Sequence, residues 1–207
     1  GIKDDPLKAI RAQTVAALEK AGHADEAKAL QAPAVRPVSI ALVPDSDSNG
    51  GGAAWSGDGS QAAVQLRAID NKDRWIASVD FGKHALVTQQ RLTDNAWINW
   101  NFNDFGWLRN SHTLWYLSEQ TGFSQLYSKP LDGKAKTLTS GHYEVRHPQL
   151  SEDGKWFYLR TNQVAPYSYD VYRVPVGCGA LSRVTHYQGM DDFAGSPDGS
   201  QLAVLHS

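Results

Sequence analysis

Cysteine is almost absent. Cys178 stands alone, so neither an intrachain disulfide framework nor a thiolate metal cluster is expected. No apolar run approaches the roughly 20 residues that span a bilayer, and no signal peptide is visible. The chain opens Gly1-Ile2 rather than with Met, which reads as a trimmed or tag-derived start. An excess of one charge is also missing. Lys and Arg number 20 against 22 Asp and Glu, with no basic cluster, and this argues against nucleic acid as a partner. Methionine occurs once. What the chain does have is a packable composition, 41% hydrophobic and 20% charged, which excludes wholesale disorder. It also has seven Trp and eight Tyr, a density that favours sheet faces and binding surfaces over helical bundles.

Two segments are expected: a helical N-terminal appendage over 1–36, and a partial β-propeller over 37–207. Asp5 reads as an N-cap with Pro6 at the first helical position, and Gly22 as the stop. A second short helix is expected from Asp25 to Ala32. From Pro37 onward the pattern turns to strands and repeats. Gly57-Asp58-Gly59-Ser60, Arg109-Asn110-Ser111-His112, Glu152-Asp153-Gly154-Lys155 and Pro197-Asp198-Gly199-Ser200 are tight-turn signals. Each is followed by a strand-like run: Gln61–Arg67, Thr113–Ser118, Trp156–Arg160 and Gln201–Leu205. Third strands are expected at Arg74–Phe81, Ser124–Leu131 and Tyr169–Val176, with fourth strands at Arg91-Leu92-Thr93, Thr137-Leu138-Thr139 and Arg183-Val184-Thr185. Leu92, Leu138 and Val184 are 46 residues apart, and the turn signals recur about every 45. Four strands per period of that length is the signature of propeller blades, which stack because one blade cannot bury both its faces.

The fold class is therefore all-β: three nearly complete four-stranded antiparallel blades and the opening two strands of a fourth. The chain ends inside a blade, so it is expected to be part of a larger protein. The other option is that Pro37–Val43 completes that blade and closes a small ring.

Motifs that carry chemistry are scarce. Gly122-Phe123-Ser124-Gln125-Leu126 lacks the second glycine of a nucleophile elbow and opens a strand, so Ser124 is not expected to be catalytic. His142 and His147 flank Glu144, but inter-blade polar residues are the favoured reading over a metal pair. Asn49-Gly50-Gly51-Gly52 lacks the Gly-Lys-Ser/Thr of a phosphate cradle and reads as a loop. Met190-Asp191-Asp192 reads as a solvated turn rather than a cation or amine site, because strand neighbours point to opposite faces. Trp97, Trp100, Phe102, Phe105 and Trp107 offer a sugar or peptide platform or, as favoured, inter-blade packing. No catalytic, cofactor-binding or metal-ligating residue is assigned, and no cofactor is expected.

Phe105-Gly106-Trp107-Leu108-Arg109-Asn110, the run from Leu117-Ser118-Glu119 through Leu126-Tyr127, and Leu138-Thr139-Ser140-Gly141-His142-Tyr143-Glu144-Val145 carry a family likeness. With Asp170-Val171-Tyr172-Arg173-Val174 and Ser196-Pro197-Asp198-Gly199, they resemble the N-terminal propeller of the dipeptidyl peptidase IV-like branch of the prolyl oligopeptidase serine peptidases. In that family the propeller caps an α/β-hydrolase domain with a Ser/Asp/His triad and admits short peptides. The branch also anchors the substrate amine through an Asp-Trp-x-Tyr-Glu-Glu-like insertion, which this chain lacks. The resemblance implies a non-catalytic propeller that gates and positions peptides for a hydrolase domain absent here, inactive alone, in a periplasmic or secreted protein. The alternative is a stand-alone periplasmic protein-binding propeller of the Tol-associated type. Open blade edges and faces are expected to promote self-association.

Overall fold

A computed structural model describes residues 6–31, 40–42, 52–177, 179–187 and 189–207. The chain divides into two compact units, Gly1–Val38 and Ser39–Ser207. In the first unit, α1 (Pro6–Lys20) and α2 (Ala24–Gln31) are joined by a turn in which Gly22 takes φ +85°. His23 N–H donates to Leu18 O and Gly22 N–H to Glu19 O, a Schellman stop that needs the left-handed conformation glycine tolerates. Asp5, expected as the N-cap, lies outside the described residues.

The second unit is a partial β-propeller. Its first blade runs β2 (Ala53–Trp55), β3 (Ala62–Ala68), β4 (Asp73–Asp80), β5 (Ala85–Thr93), each antiparallel to the next. The second runs β6 (Phe105–Trp107), β7 (Thr113–Ser118), β8 (Gln125–Pro130), β9 (Lys136–Thr137). The third runs β10 (Val145–Leu150), β11 (Trp156–Ala165), β12 (Ser168–Pro175), β13 (Ser182–Arg183). β14 (Asp191–Gly195) and β15 (Leu202–His206) form a two-stranded sheet. β1 (Ile40–Leu42) does not complete the fourth blade; it pairs with the far half of β3, alongside β2, so the small closed ring is not formed.

The repeat has an atomic basis. Ser56, Ser151 and Ser196 each donate a hydroxyl proton to the Asp two residues on, at 2.6 Å. The same hydroxyl oxygens accept from the N–H of Gln61, Trp156 and Gln201 at 2.9–3.0 Å. The glycines between take φ of 69–70°. Blade 2 uses a different turn, with the positive φ on Asn110. At the outer edge, Thr139 and Thr185 side chains accept from the N–H of Leu126 and Val171, both at 2.9 Å, pinning the fourth strand to the third.

The core lies between blades rather than within them. Ala63 and Ile76 of blade 1 pack on Phe105, Trp107, Leu114, Tyr116 and Tyr127 of blade 2. Leu117, Leu126 and Leu138 pack in turn on Val145, Phe157, Leu159, Tyr172 and Val174 of blade 3. Phe102, Phe105 and Trp107 are buried, so the packing reading holds for them, whereas Trp97 stays on the surface.

Candidate functional site

The blades share one polarity. β2, β6, β10 and β14 all start at the same end, where the turns between second and third strands and the connections between blades also lie. This connection end is opposite the Ser-x-Asp-Gly hairpin turns. Residues 69–72, 94–104, 119–124, 140–144, 166–167, 186–187 and 189–190 belong to it.

A polar cluster forms at its mouth. Arg146 on β10 and Arg160 on β11 are cross-strand neighbours. Both guanidiniums lie near the Tyr169 ring, at 4.8 and 5.9 Å from its centroid, and Arg146 also sits 4.9 Å from the Phe102 ring. The Tyr169 hydroxyl donates to Glu144 at 3.0 Å. Glu144 lies 3.4 Å from Arg146, and Asp192 lies 3.4 Å from Arg160. Glu144 N–H donates to the Asn162 side chain at 2.7 Å, fixing the chain just ahead of β10. Both arginine Nε atoms are buried without a hydrogen-bond partner. Burial raises the Tyr169 phenol, with its bond to Glu144 adding to the shift. Burial also raises the Glu119 carboxyl, reinforced by the Glu144 charge and opposed by Arg74. The cluster combines hydrogen-bond donors, a carboxylate and aromatic faces, a set that suits peptide-like polar groups.

Behind it, Arg74 on β4 is fully buried. It donates to Phe102 O, Asn103 Oδ1, Gln90 Oε1 and Leu117 O at 2.6–3.3 Å, tying blade 1 to the entry of blade 2. Desolvation pushes its pKa down to about 10, so it remains a cation at neutral pH.

The residues singled out in the sequence fare differently. Ser124 is buried and donates to Val145 O at 2.8 Å, a link between blades 2 and 3. His142 stacks on Phe123, while His147 contacts Gln149 and the Phe193 ring. Glu144, between them, turns to Arg146 and Tyr169. Of the Asn49–Gly52 loop, residues 49–51 lie outside the described residues. The reading of Asp191-Asp192 as a solvated turn is corrected for Asp191: both residues open β14, and Asp191 is buried with its Oδ1 2.8 Å from His206 Nδ1, whereas Asp192 stays exposed. The β15 partner strand supplies that histidine directly opposite, which the sequence spacing did not reveal.

A Ser/His/Asp grouping missed in the sequence lies at the opposite, hairpin end. Ser60 Oγ is 3.1 Å from His112 Nε2, and Asp58 is 3.5 Å from that same nitrogen. A triad needs the carboxylate on the other ring nitrogen. Here Asp58 instead accepts the Ser60 hydroxyl at 2.9 Å, competing for the proton, so the group is a turn contact between blades 1 and 2.

The profile of a family described as the dipeptidyl peptidase IV (DPP IV) N-terminal region matches residues 33–207. An uncharacterized protein of Agrobacterium fabrum is 26% identical over 149 residues, 68% of this chain and 47% of that protein. The chain thus spans about half the length of this curated relative. The crystal structure of Porphyromonas gingivalis dipeptidyl peptidase 4 superposes with a TM-score of 0.63 at 15% identity, over 75% of this chain and 22% of that one. TolB from Acinetobacter baumannii gives a TM-score of 0.53 at 18% identity, over 82% of this chain and 38% of that one. At these identities the two structures speak to the fold alone.

Proposed function

Because the chain belongs to the dipeptidyl peptidase IV N-terminal region family, we propose that it is the propeller portion of a serine peptidase, gating and positioning short peptides for a hydrolase domain elsewhere in the gene product. The observation that carries this reading is the family match over 33–207, with blades of one repeated design across the same span. The mouth formed by Glu144, Arg146, Arg160 and Tyr169 supplies the polar surface that a passing peptide would meet. A periplasmic or secreted location goes with this reading. Among the described residues no helix is long and apolar enough to cross a membrane.

Reading the gene onward from codon 207 tests the proposal. A Gly-x-Ser-x-Gly elbow within about 250 further residues, in a product that cleaves short peptides and spares folded proteins, supports it. A stop codon favours the second reading, a free-standing binding propeller, with which the fold shared with TolB is compatible.

A further inference from the structure

The outer edges of the three complete blades are built differently. Each blade ends on its fourth strand, whose far side carries no further strand among the described residues. In blades 2 and 3 that strand is two residues long, Lys136–Thr137 and Ser182–Arg183, with a basic residue in each. Lys134 adds a second lysine just ahead of β9. Short edges and basic side chains are the usual guards against another strand adding itself to a sheet. In blade 1 both guards are missing. β5 runs for nine residues, Ala85–Thr93, and its first six, Ala-Leu-Val-Thr-Gln-Gln, hold neither charge nor proline.

The bare part lies next to the β4–β5 turn. Ala85 through Thr88 are all exposed, with Leu86 at 50% and Val87 at 45%. Successive strand residues point to opposite faces, so this stretch is uncovered on both sides as well as along its edge. It is also regular: Ala85 to Thr88 pair residue for residue with Asp80 to Ala77, and the register breaks only beyond, at Gln89. Gln89 itself is tied to Ser78 and Lys129, at 2.9 and 2.7 Å. Phe81, in the β4–β5 turn, stacks on Trp55 with ring centroids 5.8 Å apart. Both rings are at least half exposed and extend the apolar surface around the hairpin tip.

We propose that the β5 edge of blade 1 pairs antiparallel with the same edge of a second copy of this chain, joining two first blades into one continuous sheet. A charge-free strand lies against its own copy with no like charges opposed at its centre, which the lysines of β9 would not allow. The nearest charges, Lys83 and Arg91, have carboxylate partners within their own chain: Asp80 at 3.4 Å and Asp73 at 3.0 Å. Antiparallel pairing of identical strands is two-fold symmetric, so it closes at a dimer. Pairing along about 20 Å of strand, with four apolar side chains beside it, covers less than the about 800 Å² per partner of a stable complex, so the dimer is weak and forms as concentration rises. This inference does not rest on the peptidase reading.

Sedimentation velocity and hydrogen exchange on the full gene product, at low and high protein concentration, test it. A shift from monomer to dimer is expected, with the outward-facing amides of 85–88 exchanging about tenfold more slowly in the dimer and those of β9 and β13 unchanged. Leu86→Lys with Thr88→Lys is expected to weaken the dimer about tenfold or more. Both side chains are exposed, so the Tm of the dilute variant should match that of the parent. Leu86→Ile with Thr88→Val, which keeps the edge uncharged, should leave the dimer intact. A product that stays monomeric at high concentration, a dimer that slows exchange elsewhere but not at 85–88, or one indifferent to the two lysines overturns the proposal.

Discussion

At the scale of single residues, the least replaceable side chain is Arg74. It sits within a strand whose alternation, Trp75, Ala77, Val79 and Phe81 on one side, suggests that the remaining positions face water. In the fold both faces of that blade are covered around Arg74 and Ile76, and four acceptors surround the guanidinium. Arg74→Met keeps the volume but strands those acceptors in the interior. We expect a loss of about 2–4 kcal/mol in urea unfolding. A loss under about 1 kcal/mol would mean that the four bonds contribute little. Thr185→Val removes a single buried bond to Val171 N–H and should cost only about 1 kcal/mol. The polar mouth was illegible for a similar reason. Glu144, Arg146, Arg160 and Tyr169 are scattered over 25 positions, and only the register of β10 and β11 brings the two arginines side by side. Arg160, directly after the apolar run Trp156–Leu159, was an available signal; Arg146 carries none.

At the scale of the element, the Ser-x-Asp-Gly hairpin was the most legible feature, because its chemistry is local. Serine, aspartate and glycine each have one task within six residues, and three of the four turns carry all of them. The second turn has Leu108, Asn110 and Ser111 where the others have serine, aspartate and glycine, and the positive φ moves to Asn110, a residue that tolerates it. β1 was less legible, since nothing in Ile40–Leu42 indicates which of two edges it joins.

These turns also imply a pH dependence. The hydroxyl of Ser56 and the N–H and hydroxyl of Ser60 hold the Asp58 carboxyl well below its usual range. Ser151 and the Lys155 N–H lower Asp153, and Ser196 with Ser200 lowers Asp198 to about 2. A carboxyl depressed in the folded state stabilises it above the unfolded pKa of about 3.9, and that contribution vanishes as pH falls through the folded value. Acidification from about pH 4 to about pH 2 should therefore erode stability. The triple variant Asp58→Asn, Asp153→Asn, Asp198→Asn should show a flatter acid limb in Tm against pH. An acid limb as steep as that of the parent would remove the turns from the explanation.

At the scale of the whole molecule, stability comes from contacts between blades. Phe157 is fully buried in the core shared by blades 2 and 3, and meets the Trp115 ring edge-on at 5.5 Å. Phe157→Ala should cost about 3–5 kcal/mol. Because the affected core is shared, protection should fall in blades 2 and 3 together, as seen by native-state hydrogen exchange; loss confined to blade 3 would contradict a shared core. The blade count was readable from the 45-residue period, whereas the chemistry of the connection end required the fold, which gathers residues from six separate segments. Ser124 is buried against Val145 O, and the Ser60 hydroxyl is held by Asp58. The most direct measurement is to expose the purified 207-residue chain and the full gene product, in parallel, to a serine-reactive fluorophosphonate and to Ala-Pro and Gly-Pro chromogenic peptides. The account predicts labelling and hydrolysis by the full product alone; a chain of 207 residues that is labelled and cleaves the peptides by itself would contradict it.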